Sequence, residues 1–357
     1  MVRLLAFLLV LIVNCAVGPA EAEPEPLRAY LSVFQSGQVI VAKAANGAVI
    51  RRIPVKDRDG IAAIAVSHAG DSLFVVDDSL HSRLRVFDTK TFSVLKEEHF
   101  EDRVLNFSDY KLMHLSADGH WLFLYTYSYP GNKSGIRVFD ARHLELLPSE
   151  ITGLACSRPL LASAASGSVF ALCPGRIQEL SPPTGGAANF TSGAGVAHQL
   201  TEISAAAATS DGHHLYIVGT ADANVGWQLV QWDIGGVETA RRDLSAMLDV
   251  QPNALGGYRT SWLGVSSSSR MLALVLDSDL WLIDRDTLRV SAHDQLPSPA
   301  LAACMFPDGD SVLTLHSAQR ANEVRLGVRS LATGAHALAA IRTGWNKVSP
   351  AALAAGP

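Results

Sequence analysis

The sequence predicts an all-β protein, a seven-bladed β-propeller, and three observations predict it. An apolar strand, a short polar turn, a second apolar strand and a third strand that often closes on aspartate recur six times between Ile61 and Ile341. The turns repeat one chemistry, as His68-Ala69-Gly70-Asp71, Ala117-Asp118-Gly119, Ser210-Asp211-Gly212 and Pro307-Asp308-Gly309. The period, roughly 40–50 residues holding about four strands, is that of a propeller blade, which cannot bury its own two faces and must stack on neighbours.

Blade one, Ile61 to Phe100, is predicted with strands near Ile61-Val66, Leu73-Val76, Leu84-Asp88 and Val94-His99. Blade two, Lys111 to Ile151, has Leu112-Leu115, Trp121-Tyr127, Ile136-Asp140 and a last strand around Leu144-Leu147. Blade three, Leu154 to about Pro183, lacks the Asp-Gly turn, and its pattern rests on Gly167 to Leu172 and Ile177 to Leu180. Blade four, Ile203 to Leu244, restores the pattern through Leu215-Val218 and Leu229-Asp233. In blade five, Trp262 to Leu296, the turn decays to Ser267-Ser268-Ser269-Arg270, but Met271-Leu276 and Leu280-Asp284 are clear; blade six is Leu301 to Ile341. The Asp-Gly pairs supply the positive φ and the side-chain-to-backbone bond of a tight turn. Asp88, Asp140, Asp233 and Asp284 are therefore read as structural residues that bond the turn after them.

The flanks predict the seventh blade. Ala29-Phe34 and Gln38-Ala42 serve as second and third strands, and Asn46-Gly47 leads into Ala48-Val55 as the fourth. The innermost strand is expected from the tail, Lys347 to Leu353, so the ring closes by pairing its two ends and leaves no free sheet edge. Gly185 to Thr201 and Leu244 to Asn253 are predicted as the longest connections, the second with a short helical look.

Met1 to Ala22 reads as a secretory signal peptide, with Arg3, the apolar run Leu4 to Val13 and the small residues of Ala20-Glu21-Ala22. That run is too short to cross a bilayer, which asks for about 20 residues. The single propeller domain is then Glu23 to Pro357, expected in the periplasm without a membrane span. The net charge of −5 argues against nucleic acid as a partner. Charged residues make up 18%, below the roughly 25% usual for soluble domains, as expected when many strands are covered on both faces. Export brings an oxidising compartment. Of the cysteines beyond the leader, Cys156 and Cys173 bracket one hairpin-like segment and are the expected bridge, while Cys304 sits inside an apolar strand as a small hydrophobe.

The sequence carries no hydrolase elbow, P-loop or paired-cysteine zinc pattern. The 12 histidines are scattered, and His213-His214, the adjacent pair, sits in a turn where neighbouring side chains point apart, so no metal site is expected. Gly193-Ala194-Gly195 lacks the strand and helix context of a dinucleotide site. On residue chemistry alone the chain is a binding ring or scaffold with no catalytic constellation of its own.

The collinear order of several segments resembles the heavy subunit of the periplasmic quinoprotein amine dehydrogenases, methylamine and aromatic amine dehydrogenase. These segments are Asp109-Tyr110-Lys111-Leu112-Met113-His114-Leu115-Ser116-Ala117-Asp118-Gly119, the aromatic strand Leu122-Phe123-Leu124-Tyr125, Cys156 to Cys173, Gly256-Gly257-Tyr258-Arg259-Thr260-Ser261-Trp262 and the tail from Gly344 to Pro357. The resemblance implies a seven-bladed propeller with an intrablade Cys156–Cys173 disulfide and no redox cofactor. It places tryptophan tryptophylquinone on a separate small light chain that oxidises primary amines to aldehyde and ammonia. A copper protein or cytochrome then accepts the electrons. It also implies substrate-channel positions at Phe34, Tyr110 and Arg259, and makes the six tryptophans core or surface residues. The sequence departs from the family where the acidic segment before the first blade is nearly absent and the stretch after Tyr30 is shorter. That departure leaves the alternative of a stand-alone exported propeller that binds a protein or small ligand without redox activity.

Overall fold

The computed structural model describes residues 27–33, 37–55, 60–77, 82–100, 113–128, 133–148, 150–183, 189–222, 226–244, 261–306, 309–318, 320, 322–343 and 351–356. The expected leader and most of the helical look after Leu244 lie outside them.

Strands β1 (Arg28–Val33), β2 (Gln38–Lys43) and β3 (Val49–Pro54) come first. Blade one is β4 (Ile61–Val66), β5 (Ser72–Asp77), β6 (Arg83–Asp88) and β7 (Val94–His99). Blade two is β8 (Met113–Leu115), β9 (Trp121–Ser128), β10 (Lys133–Asp140) and β11 (Glu145–Leu146). Blade three holds β12 (Leu160–Ser163), β13 (Val169–Cys173), β14 (Arg176–Ser181), β15 (Thr191–Ser192) and β16 (Val196–Ala197). Blade four is β17 (Glu202–Ala208), β18 (His214–Thr220), β19 (Gln228–Asp233) and β20 (Val237–Asp243). Blade five is β21 (Ser261–Val265), β22 (Met271–Leu276), β23 (Asp279–Asp284) and β24 (Val290–Gln295). Blade six is β25 (Ala300–Met305), β26 (Ser311–Ser317), β27 (Glu323–Ser330) and β28 (His336–Arg342). The last strand, β29 (Ala351–Gly356), lies antiparallel to β1 and completes the sheet β29-β1-β2-β3. The seven antiparallel sheets form a seven-bladed β-propeller.

Burial explains why the strands differ in composition. The second strands of the blades are covered on both faces, and β5, β13 and β22 accordingly run almost wholly apolar. The fourth strands face solvent and alternate, as Val94-Leu95-Lys96-Glu97-Glu98-His99 does. The buried side chains fall into seven clusters, each spanning two neighbouring blades. One joins Leu31 and Ile40 to Leu313 and Leu326 of blade six, and another joins Tyr30 and Val41 to Leu73 and Phe87 of blade one. The blade built from both ends of the chain therefore packs on both sides.

The expected closing strand is present as Ala351–Gly356, and Lys347 to Pro350 lie outside the described residues. One expectation is corrected. The stretch Gly185 to Thr201 is not merely a connection, since β15 and β16 both pair with β14 and supply the outer edge of blade three. Gly, Ala, Ser and Asn are poor strand formers, so composition hides these two short segments.

The polar turns are built alike. Ser116 Oγ accepts the Trp121 N–H and donates to Asp118, whose carboxylate accepts the His120 N–H. Thr209 and Asp211 do the same in blade four, and Ser67 and Asp71 form a variant in blade one. Asp88 and Asp284 accept the N–H and hydroxyl of Thr91 and Thr287 three residues on. Those bonds hold both carboxyls below the usual range.

Candidate functional site

The inner strands of the blades line the propeller axis and converge there, which favours small side chains. Ala62 and Ala65 on β4, Ala206 and Ala208 on β17 and Ala303 on β25 each keep some surface. Among the described residues of β4, β8, β12, β17, β21, β25 and β29, Glu202 is the single carboxylate. Two groups on these strands, His114 and Cys304, are shifted away from chemistry at neutral pH. Burial lowers His114 to about 4, and its Nε2 lies 2.9 Å from the Ser163 hydroxyl of the next blade. Burial pushes the Cys304 thiol up to about 12, so it stays protonated and unreactive.

Phe34, Tyr110 and Arg259 all lie outside the described residues. Their flanks are informative: β1 ends, and β8 and β21 begin, at the same face of the ring. The polar turns just described belong to the opposite face.

Cys156 and Cys173 form a disulfide with Cα atoms 5.7 Å apart. It ties the lead-in to blade three to that blade's second strand, where Cys173 is fully buried. Four tryptophans, Trp121, Trp227, Trp232 and Trp281, are buried between blades.

Blade three also opens a cleft. Where its outer edge is divided between β15 and β16, a cavity of about 330 Å³ lies against blade four, within the range of small-ligand pockets. Phe170, Ile177, Leu215 and Trp232 line it with apolar surface, and Gly193 to Gly195 line another side. Gly195 has φ +79°, and a Cβ there would come within 2.9 Å of the Ile177 carbonyl oxygen. Glycine is therefore what lets the chain cross so close over β14. The Trp232 Nε1 is buried without a hydrogen-bond partner, and Glu179 and Asp233 add negative charge to the lining. Chemically the cleft suits an apolar group that carries a hydrogen-bond acceptor.

One further grouping falls outside the sequence expectations. His120, Asp140 and His143 converge on the turn face of blade two. The two histidines stand in different turns, so spacing along the chain does not reveal them, and the available signal is a comparison of the same turn in successive blades.

No protein-family model and no curated protein matches the chain. Among solved structures it is similar to dihydro-heme d1 dehydrogenase NirN in complex with DHE, at 15% identity and a TM-score of 0.53, covering 95% of this chain and 78% of that one. The likeness shows the propeller fold alone. No helix among the described residues is long and apolar enough to cross a membrane.

Proposed function

We propose that this chain is the non-catalytic propeller subunit of a periplasmic amine dehydrogenase, a scaffold for a small quinone-bearing light chain. The observation that carries the reading is the Cys156–Cys173 disulfide, which joins the two cysteines that the resemblance pairs, within one blade. A chain of this length buries about 75% of its extended surface and does not need a cross-link merely to fold, so the bridge answers to a more local demand. The closing of the ring by the C-terminal strand agrees with the same family pattern.

The inner wall supports a supporting role. Its described residues offer one carboxylate and a histidine whose pKa lies far below neutrality, which makes a poor acid–base pair for amine chemistry. The chemistry expected of the partner's tryptophan tryptophylquinone is a two-electron oxidation of a primary amine, with water releasing aldehyde and ammonia and the electrons passing to a copper protein or cytochrome. In this reading the face where β1 ends and β8 and β21 begin meets the light chain, and Phe34, Tyr110 and Arg259 wall the approach of the amine.

Reconstitution tests the proposal. The purified chain should show no amine-dependent dye reduction alone and should support it when expressed with a small cysteine-rich exported chain encoded beside it. Turnover by this chain alone, or full activity of the small chain without it, would overturn the assignment.

A second reading is favoured by the cleft between blades three and four. There the unpaired Trp232 Nε1 and an apolar lining fit a stand-alone exported propeller that binds a small ligand. Ligand-induced quenching of tryptophan fluorescence, lost in Trp232→Phe, would support it.

A further inference from the structure

We propose that the turn face of blade two binds one divalent transition-metal ion of the borderline class of zinc(II), held by His120, Asp140 and His143. The three residues reach one point from two turns. His143 Nδ1 lies 2.8 Å from Asp140 Oδ2, and His120 Nε2 lies 3.4 Å from the same oxygen. All three donor atoms fall within 4.8 Å of one another. Two imidazole nitrogens and a carboxylate oxygen form a donor set suited to zinc and to copper(II), and three protein ligands leave a further coordination position for water.

The internal repeat shows that the turn itself does not require these imidazoles. In blades one, two, four and five the residue after the aspartate that closes the third strand donates its N–H to the residue just before the second strand. The pairs are Thr89 to Asp71, Ala141 to His120, Ile234 to His213 and Arg285 to Arg270. His120 thus occupies the position of Asp71, His213 and Arg270. Three residues beyond the aspartate, blades one and five place Thr91 and Thr287, whose hydroxyls finish the turn. Blade two places His143 there. Its turn is already held by Asp140 Oδ1, which accepts the N–H groups of Arg142 and His143 at 2.9 Å each. Both imidazoles are left to the other oxygen, Oδ2, and blade two alone of these four carries histidine at both positions.

The site is also pre-oriented. The His120 ring stacks on Trp121 with centroids 4.1 Å apart and planes 20° from parallel, while Trp121 is itself buried. This fixes the plane of the imidazole, and its Nε2 is buried with no hydrogen-bond partner. An ion with bonds of about 2.0–2.1 Å in tetrahedral geometry separates its ligands by about 3.4 Å, which the His120–Asp140 pair already matches. The His143 side chain is 72% exposed, so it has room to move off its hydrogen bond and turn its lone pair to the ion. Glu145 faces Asp140 across β10 and β11 and brings a second negative charge near a divalent cation. The Arg142 guanidinium is drawn to the Asp118 carbonyl instead.

The test is calorimetric titration of tag-free mature protein, stripped with chelator, with zinc chloride, and a parallel titration with cobalt(II) read by its visible absorption. The expected result is one ion per chain and tetrahedral or five-coordinate cobalt bands. His143→Thr, which restores the residue of blades one and five, and His120→Gln should each weaken binding at least about tenfold while melting in chelator as the unmodified protein does. Absence of one-to-one binding would overturn the proposal. So would unchanged affinity in both variants, which would place the ion elsewhere, at His213-His214 for example.

Discussion

His114 stands on the innermost strand of blade two and meets the Ser163 hydroxyl, which also accepts the Ala117 N–H. Burial keeps its imidazole neutral down to about pH 4, whereas an unfolded chain takes up that proton near 6.5. Between those values the unfolded state binds more protons, so stability is intact above pH 6.5 and falls as the pH drops towards 4. Because the residue keeps some exposed surface, the loss is on the order of 2 kcal/mol. His198 and His316, also lowered chiefly by burial, add to the same decline. Denaturant midpoints measured from pH 7 to 4 should fall for the unmodified protein and fall less for His114→Phe; parallel slopes would contradict this. At Gly47 the backbone has φ +69° and an added Cβ would lie 2.8 Å from the Ala339 Cβ of blade six. Gly47→Ala should therefore cost about 1–3 kcal/mol in urea unfolding, and a neutral result would show that the two blades do not approach so closely.

Among the elements, blade three departs furthest from the repeat and gains a cross-link. The disulfide closes a segment of sequence separation 17, and a loop of about that size is worth about 3 kcal/mol, mainly by restricting the unfolded chain. The double variant Cys156→Ser, Cys173→Ala should lose stability of that order with the propeller's circular dichroism retained. An unchanged midpoint would mean that the bridge does nothing for blade three. The strands of blades one, two, four, five and six were legible in the sequence because runs such as Leu73-Phe74-Val75-Val76 are covered on both faces and the turns demand Asp, Gly, Ser or Thr. The outer edge of blade three was not legible, since Thr191-Ser192 and Val196-Ala197 become strands only by pairing with β14. The cleft beside them depends on how Trp232 and Phe170 face each other across two blades, which no linear pattern encodes. The meeting of His120 with Asp140 and His143 is likewise a property of two turns brought side by side.

At the scale of the whole molecule, closure rests on six paired positions between β1 and β29. Leu353 packs against the cluster that includes Leu31 and Leu313. Six backbone pairings and one apolar side chain are together worth on the order of 5 kcal/mol, so deletion of Trp345 to Pro357 should lower Tm by on the order of 10 °C. Unchanged melting of the truncated protein would rule out this mode of closure. In the proposed assembly the ring would supply a wall and a platform, and the oxidising group would come from the partner. Native purification from the periplasm tests that claim most directly. A small subunit with quinone absorbance coeluting with this chain is the predicted result, and a lone colourless propeller at native expression levels would contradict it.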